Sequence, residues 1–317
     1  MVKSAKAAAK RSRPARKPVK PKPFERWTLF DFVRYAVSRF VEAELVFAHG
    51  TTDVVAEAAF LVSEALHLHP DEFEMFAAVR TTAPETEKIL GLIESRIATQ
   101  KPAAYLVNKA YMRGLPFYVD ERVIVPRSFI GELLDSHFSE EVSLIDDPAA
   151  VKSVLDLCTG SGCLAVLASR RFPHAHIDAV DISAHALEVA ARNVIDGYAL
   201  EHRISLHRGD LFEPLGGRRY DLIISNPPYV DAEGMAGLPQ ECRFEPKLAF
   251  DGGADGLAVV RRILNQAGSH LTPQGGLLCE IGRGRERLED AFPRLPLLWL
   301  DTEESEGEVF WIGAKDL

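Results

Sequence analysis

The sequence has 317 residues, 47% of them hydrophobic and 26% charged, with 46 acidic side chains against 37 basic ones and a formal net charge of −9. These proportions are typical of a globular protein of one or two domains, and no apolar run reaches the roughly 18 residues of a membrane helix, which excludes an integral membrane protein. The four cysteines form no C-x-x-C pair, which excludes a disulfide scaffold and a zinc ribbon and predicts a reducing compartment, the cytoplasm.

Residues 1–23 form a basic arm. They carry nine Lys or Arg side chains and no acidic one, so residues 24–317 keep 28 basic against 46 acidic side chains, a formal charge of −18. Four prolines interrupt the arm and favour disordered chain. We expect no secretory signal, because an apolar segment is absent, and a mitochondrial transit peptide would be amphipathic and Ser-rich. A solvated tail with weak affinity for RNA phosphates, or one with no specific role, fits better.

Residues 24–103 predict a small helical domain, to which we assign substrate recognition. Thr28 stands three residues before Asp31 and precedes an amphipathic run, which is typical of a capped helix. Further helices are expected over residues 53–66, from Pro70 and from Pro84.

The period of the hydrophobic pattern changes at Ala104. The runs over residues 104–107 and 115–119 are strand-like and flank Arg113-Gly114, which predicts a β-hairpin. Residues 104–127 would then link the helical domain to a second domain over residues 128–317.

Strands and helices alternate through most of that second domain, after a helix over residues 130–138. This alternation predicts the α/β class, a mostly parallel sheet covered by helices on both faces. The predicted strands are residues 153–157, 176–181, 204–207, 222–225, 276–280 and 309–313, and the main helices are residues 164–170, 184–196 and 256–271.

The first of these strands ends in a glycine loop, Asp156-Leu157-Cys158-Thr159-Gly160-Ser161-Gly162. Glycine lets a ligand approach the backbone, and Asp181 at the end of the next strand can accept hydrogen bonds from ribose hydroxyls. A nicotinamide site needs a third glycine in the pattern G-x-G-x-x-G, which is missing here. An acidic residue such as Asp156 tolerates the cationic sulfonium of S-adenosylmethionine and would repel a pyrophosphate. The loop therefore favours the methyl donor, with a purely structural loop as the alternative.

A third acid follows the strand at residues 204–207. In Arg208-Gly209-Asp210-Leu211-Phe212, Asp210 can accept a hydrogen bond from the adenine amino group, while Leu211 or Phe212 packs on the ring. This segment supports an adenosine-containing cofactor.

The most specific motif is Asn226-Pro227-Pro228-Tyr229, at the end of a predicted strand. The side-chain oxygen of Asn226 and the carbonyl of Pro227 are two acceptors that suit an –NH₂ group, and Tyr229 can stack on a planar amide or base. An amide nitrogen is a poor nucleophile because its lone pair is delocalised. Holding both N–H bonds directs the lone pair at the methyl carbon and stabilises the charge that develops on nitrogen. A Pro-Pro turn that only ends the strand is the alternative.

These motifs resemble the amino-directed Rossmann-like methyltransferases, which include DNA adenine methyltransferases and the HemK-type protein glutamine methyltransferases. The helical domain and hairpin linker are similar to the second group, and the likeness covers nearly all of residues 27–313. It rests also on Ala104-Tyr105-Leu106, Asn108-Lys109-Ala110, residues 117–123, Val125-Pro126-Arg127-Ser128, residues 229–233 and Asp255-Gly256-Leu257. Release-factor enzymes continue the Pro-Arg pair with Pro-Asp-Thr-Glu. Here Ser128-Phe129 follows, which favours the branch that acts on the large-subunit ribosomal protein L-three.

The resemblance implies a class I methyltransferase sheet that uses S-adenosylmethionine to methylate a glutamine side-chain amide. It implies that Asn226, Pro227, Pro228 and Tyr229 hold the amide, with Asn226, Pro227 and Tyr229 as the catalytic residues. The predicted cofactor-binding residues are Asp156, Cys158, Thr159, Gly160, Ser161, Gly162, Asp181, Ile182, Asp210, Leu211, Phe212 and Asn226. Arg127 and Glu132 are further candidates, as an ion pair near the cofactor mouth or as a helix cap. We predict no metal, because no H-E-x-x-H spacing occurs.

Three other functions stay open: a release-factor glutamine methyltransferase, a DNA or RNA adenine methyltransferase, and a non-catalytic RNA-binding module. A nucleic-acid enzyme needs a basic groove, which the charge of −18 over residues 24–317 disfavours. The acceptor motif disfavours a non-catalytic module. An anionic body suits a basic ribosomal protein as substrate, and the arm would contact ribosomal RNA.

Overall fold

The computed structural model describes residues 27–48, 53–139 and 141–317. The basic arm of residues 1–23 lies outside these ranges, so the expectations for it stay predictions. No helix in the described part of the chain is long and apolar enough to span a bilayer.

Five helices form the amino-terminal part: α1 Leu29–Glu42, α2 Val54–Ala65, α3 Phe73–Phe76, α4 Ala83–Thr99 and α5 Ala103–Val107. Thr28 and Asp31 cap α1 reciprocally, each side chain accepting the backbone N–H of the other, so the predicted capped helix is confirmed. The apolar faces of these helices share one buried cluster that includes Phe32, Leu61 and Ile93.

The hairpin prediction is partly wrong. Residues 104–107 belong to α5, and the two strands are β1 Ala110–Met112 and β2 Leu115–Phe117, which flank Arg113-Gly114 as expected. Pro102 precedes this turn of helix, and Asn108 ends it in the left-handed conformation at φ 52°. A short apolar run has no period that distinguishes a buried helical turn from a strand, which explains the error.

The described residues of the second part form a sheet of seven strands: β3 Ser153–Leu157, β4 His176–Asp181, β5 Ile204–Arg208, β6 Tyr220–Ser225, β7 Leu271–Glu280, β8 Leu298–Leu300 and β9 Val309–Gly313. Their order across the sheet is β5-β4-β3-β6-β7-β9-β8. The first five strands in this order are parallel, and β9 runs antiparallel to both β7 and β8. The predicted α/β class is confirmed, and only the short β8 was not predicted.

Helices cover both faces of this sheet. Val154 of β3 packs into one apolar cluster with α7, whereas Leu155 and Leu157 pack into a second cluster with α10. Successive side chains of a strand point to opposite faces, so an unbroken apolar strand is buried on both. The helices of this part are α6 Ile130–Ser136, α7 Cys163–Arg171, α8 Ala184–Ala191, α9 Ala232–Ala236, α10 Ala258–Ala267 and α11 Arg285–Ala291, and a π-helical turn, Arg192–Gly197, follows α8.

A buried ion group joins the two parts of the chain. Arg96 of α4 donates to Glu57 of α2 at 2.7 Å and to Glu241 at 2.6 Å, and all three side chains are buried. Glu241 lies in a 3₁₀ turn, Gln240–Phe244, and also accepts the backbone N–H of Ala48. The helical part is therefore fixed against the part that carries the sheet.

The site lies where the strand order changes direction. The neighbours of β3 are β4 on one side and β6 on the other. The chain leaves β3 and β6 for helices or loops on different sides, and the crevice between them is the usual ligand site of an open α/β sheet. The glycine loop, Asp181 and Asn226 lie at the carboxyl ends of β3, β4 and β6.

Candidate active site

A cavity of 210 Å³ opens at the carboxyl ends of the strands. Seven of the predicted cofactor-binding residues line it: Cys158, Gly160, Asp181, Ile182, Asp210, Leu211 and Asn226. Pro228 of the acceptor motif lines it too. The structure therefore brings together residues from four separate segments of the sequence.

Asp181 is held firmly in the cavity wall. Its Oδ2 accepts the backbone N–H of Gly160 at 2.9 Å, and its Oδ1 accepts that of Ser183 at 2.8 Å. Burial raises the pKa of Asp181, and the two amides oppose this rise. Each carboxylate oxygen has a second lone pair, so the carboxylate can also accept from the hydroxyls of a bound ribose.

Two residues of the cavity wall have a left-handed backbone without being glycine, Cys158 at φ 60° and Leu211 at φ 53°. This conformation is uncommon for residues with a Cβ, and a folded protein keeps it where the surrounding structure requires it, often at ligand sites. In both segments it turns the chain at the end of a strand, toward the cavity.

Asp156, Thr159, Ser161 and Gly162 lie behind the cavity wall and do not line it. Asp156 is fully buried in β3 and accepts the hydroxyl of Thr159 at 2.5 Å. Burial raises the pKa of Asp156 to about 7, because a charged carboxylate there loses its hydration. These residues shape the loop that presents Cys158 and Gly160.

Leu211 and Phe212, the two residues expected to pack on an adenine ring, have different positions in the structure. Leu211 lines the cavity, whereas Phe212 is buried and stacks on His270 with ring centroids 4.6 Å apart. Leu211 is therefore the one of the two that faces the cavity, and a contact between Phe212 and the cofactor stays a prediction. The Oδ2 of Asp210 accepts a hydrogen bond from Nη2 of Arg262 at 2.8 Å, and within the described residues no donor contacts its Oδ1.

Asn226 is oriented by the linker. Its Nδ2 donates to the backbone carbonyl of Arg127 at 3.2 Å, and within the described ranges its Oδ1 accepts no hydrogen bond. The hydrogen bond of Nδ2 fixes the orientation of the amide group, and its oxygen, the one acceptor of the side chain, is available to a ligand N–H. Asn226 follows β6, whose last residue, Ser225, donates to the carbonyl of Leu157 in β3.

The predicted pairing of Arg127 with Glu132 is wrong. Arg127 makes a bidentate pair with Glu245, at 3.0 and 2.9 Å, and the Glu245 carboxylate is fully buried. Glu245 also accepts the backbone N–H of Val125 at 2.8 Å. Glu132 points elsewhere and accepts the backbone N–H of Glu303. The carboxylate that holds the linker lies 118 residues from Arg127 in the sequence.

Tyr229 lies in a second opening, a cleft of 970 Å³ that shares no lining residue with the cavity. Its hydroxyl donates to Glu280 at 3.0 Å. Burial, together with the charge of Glu280, raises the pKa of Tyr229 well above its usual value, so the phenol keeps its proton at neutral pH. The cleft also borders Tyr111 of the hairpin, Arg127 of the linker and Glu303 between β8 and β9.

Sequence reasoning missed three residues that hold this site. Glu245 holds the end of the linker, and Glu280 holds Tyr229. No local sequence motif identifies either glutamate. Asn193, in the π-helical turn, accepts the N–H of Tyr118 and donates to the carbonyls of Tyr118 and Ser161. It thereby ties the linker to the glycine loop. A π-helical turn often marks a functional position, but it cannot be seen in a sequence.

The comparisons with known proteins agree with this geometry. The family model of the methyltransferase small domain matches residues 132–238. The chain is 70% identical to the ribosomal protein uL3 glutamine methyltransferase of Bradyrhizobium diazoefficiens, with 100% of both chains covered. The chain belongs to the uL3 glutamine methyltransferase family.

Other members of the uL3 glutamine methyltransferase family are also similar over most of the chain. The protein from Burkholderia pseudomallei is 51% identical, covering 94% of this chain and 97% of the relative, and that from Bordetella pertussis is 49% identical, covering 92% and 96%. The family that the motifs indicated, and the branch within it that acts on a ribosomal protein, are thereby confirmed.

Proposed function

We propose that this chain transfers a methyl group from S-adenosylmethionine to the side-chain amide nitrogen of a glutamine in ribosomal protein uL3. The orientation of Asn226 carries the proposal. Its nitrogen is bound to the carbonyl of Arg127, which leaves its oxygen as an acceptor beside the cavity. The name shared by the relatives supports uL3 as the substrate.

The cavity fits the proposed cofactor. Asp181 has lone pairs for the two ribose hydroxyls, Asp210 has a carboxylate oxygen for the adenine amino group, and Leu211 offers an apolar surface to the ring. The guanidinium groups of Arg122 and Arg262 line the same cavity as these two carboxylates, and Arg262 pairs with Asp210, so the hydrogen-bonding capacity of the wall and not its net charge supports this cofactor. When bound, S-adenosylmethionine supplies an electrophilic methyl group next to its sulfonium.

The acceptor residues prepare the nucleophile. The Oδ1 of Asn226 and the carbonyl of Pro227 accept the two N–H bonds of the glutamine amide, which turns the nitrogen lone pair away from them. As the nitrogen gains positive charge, both hydrogen bonds strengthen, and this stabilises the transition state more than the ground state. No strong base is needed, because the methylated amide cation is acidic and releases its proton readily.

We assign the cleft beside Tyr229 to the polypeptide substrate. It is lined by Glu132, Glu280, Glu303, Glu304 and Glu308 as well as Asp53, against Arg113 and Arg127. This excess of acidic groups suits a basic polypeptide and would repel the phosphates of a nucleic acid. A glutamine reaching from the cleft would place its amide between Tyr229 and Asn226.

Asn226→Ala tests the proposal. Wild-type protein and variant are incubated with labelled S-adenosylmethionine and purified uL3 or a release factor, and the modified residue is mapped by mass spectrometry. We expect label on a uL3 glutamine and a fall in kcat of about 10²-fold or more in the variant, the scale for losing one preorganised polar group.

Two controls keep this test specific. Asn265→Ala removes the same side chain from the exposed face of α10 and should leave turnover unchanged. Calorimetry should show that Asn226→Ala still binds the cofactor. Label on the release factor alone, or no label on any glutamine, would refute uL3 as the substrate, and full activity of the variant would remove Asn226 from the mechanism.

A further inference from the structure

Glu280, the last residue of β7, is a buried carboxylate that accepts three hydrogen bonds. Its Oε2 accepts the hydroxyl of Ser128 at 2.7 Å and the backbone N–H of Phe129 at 3.0 Å, and its Oε1 accepts the hydroxyl of Tyr229 at 3.0 Å. It is only 1% exposed. Burial raises the pKa of Glu280 to about 7, and the three donors oppose this rise because they stabilise the ionised carboxylate.

The ring of Tyr229 is confined by the turn that follows Glu280. Gly282 has a φ of +54°, and a Cβ placed there would lie 2.6 Å from Cε2 of the Tyr229 ring. The ring edge therefore lies directly against the backbone of Gly282, at a position that no larger residue permits without moving it. Hydroxyl and ring edge are thus both fixed by one short segment, residues 280–282.

The same carboxylate holds the two residues that directly follow the linker. Ser128 and Phe129 follow Arg127, whose backbone carbonyl holds the amide of Asn226. Glu280 is therefore bonded at once to the aromatic residue of the acceptor motif and to the segment that orients its asparagine. Among the described residues, no other side chain is hydrogen-bonded to both.

We propose that Glu280 is a positioning residue for methyl transfer, because it holds the ring of Tyr229 in register with the amide that Asn226 binds. The proposal rests on the function proposed above. Glu280 acts through Tyr229, and it lines the cleft without lining the cofactor cavity. The glutamine amide would be confined by Asn226 on one side and by the ring of Tyr229 on the other. If Tyr229 moves, the amide can rotate, and its nitrogen is no longer held at the angle that methyl transfer requires.

The test is a double-mutant cycle of Glu280→Gln and Tyr229→Phe. Glutamine keeps the volume, and its Oε1 can still accept from Ser128 and Phe129, but its –NH₂ then faces the hydroxyl of Tyr229. Tyr229→Phe removes only that hydroxyl. We expect each single variant to lose about tenfold to hundredfold in kcat, with a smaller change in KM for uL3 and unchanged cofactor affinity.

The double variant gives the decisive number. If both changes break one interaction, the double variant should be no slower than the slower single variant, within about twofold. Losses that multiply would overturn the proposal, as would wild-type kcat in Glu280→Gln. Glu286→Gln, an exposed residue of α11, is the matched control and should behave as the wild type.

A spectroscopic measurement separates this proposal from the proposed function. In protein labelled with fluorotyrosine, the ¹⁹F resonance of Tyr229 is assigned by its absence in Tyr229→Phe. We expect it to shift and broaden in Glu280→Gln and to stay unchanged in Glu286→Gln. A shifted resonance with no methylation of uL3 by the wild type would refute the proposed function alone. An unchanged resonance in a wild-type enzyme that methylates uL3 would refute the positioning role alone.

Discussion

Asn226 and Tyr229 are three positions apart, and different parts of the chain hold them. The carbonyl of Arg127 engages the amide of Asn226, while the carboxylate of Glu280 engages the hydroxyl of Tyr229. The acceptor motif itself was recognisable from its residue types. Its two supports were not, because a carboxylate 51 residues from Tyr229 and a backbone carbonyl 99 residues from Asn226 meet the motif only after folding.

The buried carboxylate of Asp156 predicts a pH-dependent stability. Burial raises its pKa from 3.8 to about 7, so between these values the folded state binds a proton that the unfolded state does not. Stability is therefore lost as the pH rises through this window, because the folded protein must then bury a charge. The loss is at most about 4 kcal/mol, at roughly 1.4 kcal/mol per pKa unit.

Asp156→Asn should remove this dependence. Asparagine keeps an acceptor for the hydroxyl of Thr159 and carries no charge at any pH. We expect urea unfolding to show that the variant gains stability relative to the wild type as the pH rises from about 4 to about 7. Parallel pH profiles of the two proteins would contradict this explanation.

Elements with a clear period were predicted well, and short ones were not. The strands at residues 153–157, 176–181 and 309–313 have the predicted bounds, because each is an apolar run limited by turn residues. The helix α5 and the strand β8 have five and three residues. At that length packing against the rest of the protein decides the conformation, and local sequence does not.

Residues 125–129, which join the end of the linker to α6, are held at both ends by buried carboxylates. Glu245 binds the N–H of Val125 and the guanidinium of Arg127, and Glu280 binds Ser128 and Phe129. The carbonyl that orients Asn226 lies between the two attachments. We expect loss of either attachment to loosen Asn226.

Arg127→Gln tests the first attachment. It removes the bidentate guanidinium partner of the fully buried Glu245 carboxylate, which should lower the free energy of unfolding by about 2–4 kcal/mol, less than for a fully buried pair because Arg127 is one-third exposed. The turnover of uL3 should also fall. Arg261→Gln breaks a bidentate pair with Asp255 in which both side chains are about 40% exposed, and it should cost about 0–1 kcal/mol. Equal losses in the two variants would show that Arg127 has no special role.

The net charge of −9 is an average over two dissimilar parts, an arm with nine basic side chains and a body of −18. The acidic cleft gives the body a surface that matches a basic polypeptide. The arm is positively charged, so its partner should be anionic and therefore different from the basic polypeptide that suits the cleft. RNA phosphates are the predicted ligand of the arm.

Deletion of residues 1–23 separates these two roles. Methyl transfer to free uL3 should keep its kcat and KM, because the predicted catalytic and cofactor-binding residues all lie between Asp156 and Tyr229. Binding to RNA, measured by fluorescence anisotropy at several salt concentrations, should weaken and lose most of its salt dependence. Loss of turnover on free uL3 would show that the arm belongs to the active unit.

The separate openings of the cavity and the cleft have a kinetic consequence. Asn226 and Pro228 face one opening and Tyr229 faces the other, with no lining residue in common. If the cavity holds the donor and the cleft holds the polypeptide, as proposed, each ligand reaches the acceptor motif by its own route. We then expect the ternary complex to form in either order, and spent donor to exchange for fresh donor while the polypeptide stays bound.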